Sequence, residues 1–108
     1  MFSEMTQKKI EEAVTLEIVN AVKTYGSEYN SNHEAYAVLL EGVEETERNL
    51  DYVKNHLAMI WDAVKADDDN EVKANARIIV LDAVELAKEA CQIAAVCRKI
   101  LGEIDNAK

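Results

Sequence analysis

NHEAYAVLLEGVEETERNLDYVKNHLAMIWDAV, residues 32–64, carries a long regular pattern. Leu39, Val43, Thr46, Leu50, Val53, Leu57, Ile60 and Val64 are spaced alternately by four and three, and Thr46 is the one polar member. That heptad spacing predicts one long helix packed along another. With Val43 at the centre of the buried side and about 100° of rotation per residue, Glu41 and Glu45 fall nearly opposite it, one turn apart, and Glu34 lies on the same side. Carboxylates at i and i+4 can share a divalent cation, because their Cβ atoms are roughly 6 Å apart. Glutamates on the wet side of an ordinary surface helix account for the same pattern.

Outward from this stretch, the chain reads as helix throughout. It has 108 residues, 49% of them hydrophobic, with no proline and three glycines. That is enough for a single domain with a core. β-Branched residues occur within helical periods rather than alternating ones, so the expected fold is all-α. A first helix is predicted over 3–25, with Ile10, Val14, Ile18, Ala21, Val22 and Tyr25 on its apolar side and Gly26 as its stop. Ser31 and Glu34 fit a capping box that opens a second helix over 32–66, with room for a kink into two. Gly42 sits inside that helix, where it costs about 1 kcal/mol relative to alanine and permits a close approach. His33 and His56 read as structural residues, and Trp61 reads as a core or subunit-interface anchor. Residues 66–70 (ADDDN) lack the alternation, glycine and final glutamate of a calcium loop and read as a helix cap.

The third helix is predicted over 70–104. Its apolar seam is Val72, Ala76, Ile79, Ala83, Leu86, Ala90, Ile93, Cys97, Ile100 and Ile104. Between residues 78 and 101 it is apolar over most of its circumference, and such a helix is buried by more than one neighbour. The expected architecture is therefore an antiparallel bundle of three long helices packed as a homo-oligomer, a homodimer or larger. A narrow polar strip remains on this helix: Asp82, Glu85, Glu89, Gln92 and Lys99. Acids in a buried segment are costly unless paired, hydrated or bound to a cation. This strip is the clearest sign of a site.

The formal net charge is −9. No basic stripe is present, so direct nucleic-acid binding is not expected. A nucleotide remains compatible if Mg²⁺ neutralises its phosphates. An acidic surface that binds a basic partner is compatible too, as is charge that serves solubility alone. Cys91 and Cys97 lie almost two turns apart on one predicted helix, too far to bridge, and read as small buried hydrophobes. No zinc-ligand spacing occurs. With no signal pattern and no apolar run of membrane length, a cytoplasmic chain is expected.

The runs HEAYAVLLEGVEETERNL (33–50), IWDAVK (60–65) and LAKEACQIAAVCRKI (86–100) resemble the small phage-type members of the MazG-like all-α nucleotide pyrophosphohydrolases, over roughly residues 10–101. The resemblance implies a helical homo-oligomer that uses Mg²⁺ to hydrolyse a (d)NTP to (d)NMP and pyrophosphate. It also implies a phage or prophage origin in a host cytoplasm. The family carries Glu-Glu-x-x-Glu on one helix and Glu-x-x-Asp on a later one. Glu41 and Glu45 match the outer glutamates of the first motif, and Glu89 matches the glutamate of the second. Gly42 and Gln92 stand where the family has acids. The implied metal set is Glu41, Glu45 and Glu89, supplemented by Glu85 and Gln92, with Glu44 and Glu45 placed to act on water. Two alternatives follow from the same residues. One is a non-catalytic helical protein that binds or sequesters a nucleotide or nucleotide-derived signal in phage counter-defence. The other is an acidic inhibitor of a protein partner. Arg48, Lys54, Lys88 and Lys99 are the candidates for contact with phosphate.

Overall fold

A computed structural model describes residues 3–104. It contains three helices, α1 (Glu4–Tyr25), α2 (Asn32–Lys65) and α3 (Asp69–Ile100), and no strand among the described residues. The second helix is a single uninterrupted element of 34 residues. It is not split into two.

Local chemistry sets the ends. Ser3 Oγ accepts from Thr6 N at 3.1 Å and caps α1. Gly26 ends that helix at φ 80°, a left-handed value that suits glycine, and its N–H donates to Val22 O at 2.8 Å. Ser31 Oγ accepts from Glu34 N at 3.1 Å, the first half of the expected capping box. The second half is displaced by one residue. The Glu34 carboxylate accepts from Asn30 N at 3.1 Å and Asn30 Nδ2 at 3.0 Å, instead of reaching the Ser31 amide.

The acidic run does cap helices, at both ends of the turn. Asp67 adopts φ 56°. Asp67 N donates to Val64 O at 3.1 Å and Asp68 N to Ala63 O at 2.9 Å, the hydrogen-bond pair that closes a Schellman end. Asp68 Oδ1 then accepts from Glu71 N at 3.1 Å and opens α3. The far end of α3 differs from expectation. The helix stops at Ile100, four residues short, because Gly102 at φ 76° makes the same kind of end through Gly102 N to Lys99 O and Glu103 N to Arg98 O.

Contacts divide the chain into two compact units, Met1–Val43 with Lys88–Lys108, and Glu44–Ala87. In the first, Val14 and Ile18 of α1 and Ala95 of α3 form a buried core, with Val22, Cys91, Ala94 and Ile104 packed around it. Ile104 therefore keeps its expected burial although the helix has already ended. Both cysteines are half-buried and free, as small apolar residues. Gly42 of α2 lies so close to α3 that a Cβ on it would stand 3.3 Å from Ile93 Cγ1. The second unit is an antiparallel hairpin of α2 and α3 joined across residues 66–68. Ala63 and Asn75 are its buried residues.

The buried column of each long helix is displaced from the expected one. Leu39, Thr46, Val53 and Ile60 are at least half-buried, as predicted, but Val43, Leu50, Leu57 and Val64 are exposed. Their place is taken by the residues one position earlier: Gly42, Asn49, His56 and Ala63. On α3, Ala76, Ala83 and Ala90 are exposed, while Asn75, Asp82, Glu89 and Val96 turn inward beside Val72, Ile79, Leu86 and Ile93. Replacing one of two columns by its predecessor rotates each buried side by about 50°, half of one residue's step. Trp61, at 59% exposure, is therefore not a core residue of this chain. No described helix is long and apolar enough to cross a membrane.

Candidate functional site

The rotation brings polar side chains onto the inner columns. On α2 these are Asn49 and His56, half-buried like Thr46 and the neighbouring Glu45, and on α3 they are Asn75, Asp82 and Glu89. Asn75 and Glu89 are only 5% and 6% exposed. Glu89, carried over as a metal ligand, is thus a buried acid. Glu45, expected on the outer side opposite Val43, sits instead toward the packed side. Gln92 is half-buried. Glu41, Glu44 and Glu85 are exposed. Asp82 buries one carboxylate oxygen with no hydrogen-bond partner among the described residues. Buried acceptors of that kind are uncommon and need a cause.

Among the described residues, no three His, Cys, Asp or Glu side chains stand together closely enough to hold a metal ion. A cage of carboxylates is therefore not preformed. Mg²⁺ does not need one: it is usually held by one or two carboxylates, with waters and substrate phosphates completing its octahedron. Glu89, in the first unit, is a buried acid, and Glu45, in the second, is a half-buried one. Gly42, where the resembled family has a glutamate, cannot carry one without displacing Ile93, because even a Cβ would be crowded there.

In the hairpin, His56 Nδ1 lies 3.0 Å from Asn75 Oδ1, and Asn75 Nδ2 donates to Glu71 O at 2.9 Å. The second bond fixes the amide orientation, so Asn75 presents its oxygen to the imidazole. His56 accordingly donates from Nδ1, which leaves Nε2 as the acceptor nitrogen of the neutral ring. Asn75 was not singled out from sequence. Its seven-residue spacing to Asp82 and Glu89 was the available signal, hidden beside an alanine column of the same period.

A second polar group lies in the first unit. Lys99 is 4% exposed. Its Nζ stands 3.7 Å from the centre of the Tyr29 ring and 5.2 Å from that of Tyr25, and the two rings tilt against each other at 5.8 Å. Burial lowers the Lys99 pKa from the usual lysine value, and the Glu34 carboxylate partly restores it. The Tyr29 pKa is raised by burial first, then by Tyr25, Glu34 and Cys97. Of the four cations considered for phosphate, Lys99 is buried, whereas Arg48, Lys54 and Lys88 are exposed. No protein-family model matches the chain, and no significant similarity links it to a curated protein or to a solved structure.

Proposed function

We propose that the protein is a MazG-like nucleotide pyrophosphohydrolase that works as a homo-oligomer with Mg²⁺. The observation that carries this reading is the burial of Glu89 on the inner column of α3. A carboxylate is kept out of solvent only where a cation or a set of donors compensates its desolvation. Glu89 and Glu45 would hold the ion, with Glu41, Glu85 and the neutral oxygen of Gln92 around them. Bound there, Mg²⁺ would neutralise phosphate charge and polarise a phosphoryl oxygen. Glu44 or Glu45 would orient a water molecule and take its proton. Water oxygen would then bond to the α-phosphorus as the bond to the bridging oxygen breaks, and pyrophosphate would carry away the electron pair. The test is incubation with a panel of NTPs and dNTPs plus Mg²⁺. Pyrophosphate release that is lost in Glu45→Ala is expected. Release from none of them, or equal release by the variant, removes the enzymatic reading.

The departures at Gly42 and Gln92 favour a second reading, in which the same residues bind a nucleotide or nucleotide-derived signal without cleaving it. Calorimetry with Mg²⁺ and a non-hydrolysable dNTP separates the two when combined with the turnover assay. An acidic inhibitor of a protein partner predicts neither binding nor turnover.

A further inference from the structure

A cleft of about 670 Å³ lies at the amino-terminal end of α2. That is within the size range of small-molecule sites, roughly 300–1,000 Å³. Its polar wall comes from two places. The connection and first turn of α2 supply Ser27, Glu28, Tyr29, Ser31 and Asn32, and the last turn of α3 supplies Lys99. The amino-terminal end of a 34-residue helix presents a partial positive charge and amides directed outward, which suits an anion.

An independent feature of Lys99 points the same way. Its ammonium is buried and has no hydrogen-bond acceptor among the described residues. An ammonium has three donors, and burying them unused is expensive. The Tyr25 and Tyr29 rings offset part of that cost by cation–π attraction but accept no hydrogen bond of the ordinary kind. Glu34 accepts from Asn30 N and Nδ2, and Lys99 Nζ makes no hydrogen bond to either of its oxygens. An acceptor for this ammonium is thus missing among the described residues, beside a helix end and two serine hydroxyls.

We propose that this cleft binds a phosphate group, with Lys99 as its counter-charge. The four rotatable bonds of the lysine stem let the ammonium swing from the tyrosine rings to the anion. A tetrahedral oxyanion suits donors arriving from both the α2 end and α3, whereas a planar carboxylate has fewer oxygens to offer them. Glu28 on the rim opposes any anion, so the donors of the cleft must outweigh that repulsion. Lys99 is ten residues from Glu89 on the same helix, about 15 Å along its axis, so the cleft is separate from the carboxylates of the proposed hydrolase site.

The test is a titration of the ¹⁵N-labelled full chain with inorganic phosphate, without Mg²⁺ and at constant ionic strength, with sodium acetate as the parallel arm. Saturable amide shifts confined to residues 27–35 and 99–104 are expected with phosphate and not with acetate. Lys99→Met should weaken them by about tenfold or more, the worth of one hydrogen bond to a charged group. A readout in the unaltered protein covers the case in which that variant does not fold: phosphate should raise the titration midpoint of the Lys99 Cε resonance. Absence of saturable shifts, equal response to acetate, undiminished binding by a folded Lys99→Met, or an unmoved Lys99 midpoint each overturns the proposal. Glu45→Ala should bind phosphate like the parent, so loss of hydrolysis and loss of this site are distinguishable.

Discussion

Lys99 and Tyr29 pack against each other, and burial is the main cause that moves their pKa values in opposite directions, the lysine's down and the tyrosine's up. Because burial lowers the lysine's pKa in the folded chain, the unfolded chain carries more protons between that lowered value and 10.5, so this group adds stability as pH rises across the window. Tyr29 acts in the opposite sense. Its raised value means that the folded chain keeps the phenolic proton above 10.0, where the unfolded chain loses it, and stability falls as pH rises through that range. Denaturant midpoints followed into alkali should therefore fall less steeply for Tyr29→Phe and more steeply for Lys99→Met than for the parent. Identical profiles for all three would show that neither group is perturbed. At Gly42, restoring the glutamate of the resembled motif should destabilise the fold, by about 1–3 kcal/mol as in other overpacked sites. Ile93→Ala in the same chain should recover part of that loss, as measured by urea unfolding. The polar strip of α3 marks Glu89 and Lys99 as polar groups in an apolar segment, but neither the half-burial of Glu45, expected on the outer side, nor the depth of Lys99 is read from spacing. A lysine after CQIAAVCR looks like the wet end of a helix. Only the placement of Tyr25 and Tyr29 from a different segment turns it inward.

At the scale of the element, the boundaries were readable wherever side-chain chemistry makes the cap. Gly26, Ser31 and the aspartate run all end or begin helices where expected. The Gly102 stop is hidden in the sequence because the apolar period runs on through Ile104, past the single glycine that ends the helix. The buried sides of α2 and α3 were half legible for a related reason. Each helix carries two neighbouring heptad columns, and hydrophobicity alone selects the greasier one. The packed columns instead hold Gly42, which permits closeness, and Asn49, His56, Asn75, Asp82 and Glu89, whose polar groups face inward. Asp67 provides a test of the turn. It holds φ 56°, a conformation that costs a side chain about 1–2 kcal/mol and glycine almost nothing. Asp67→Gly should raise the unfolding midpoint, with a gain of up to about 1 kcal/mol after the added entropy of the unfolded chain. Asp68→Ala should lower it by about 1 kcal/mol, since it removes the oxygen that caps α3. Thermal melts of the two variants should shift in opposite directions.

For the whole molecule, the exposed heptad columns bear on the proposed assembly. Val43, Leu50, Leu57 and Val64 keep a strict seven-residue period, and Val80, Leu81 and Val84 are each at least 60% exposed. Apolar columns with this period match the seams by which helices of separate chains pair. A solution mass that is a multiple of 12.1 kDa is expected from light scattering after gel filtration. Leu57→Glu should shift it toward the single chain, because a buried leucine contributes roughly 1.5–3 kcal/mol to such a contact. A monomer at micromolar concentration would leave those columns without an explanation.

Trp61 is the only tryptophan in the chain, lies 59% open, and has the Lys65 ammonium 5.6 Å from its ring centre. An indole so placed emits as a hydrated fluorophore, and its spectrum moves to shorter wavelength whenever something dry covers it. Association that covered this indole would thus be readable by dilution alone, without any label.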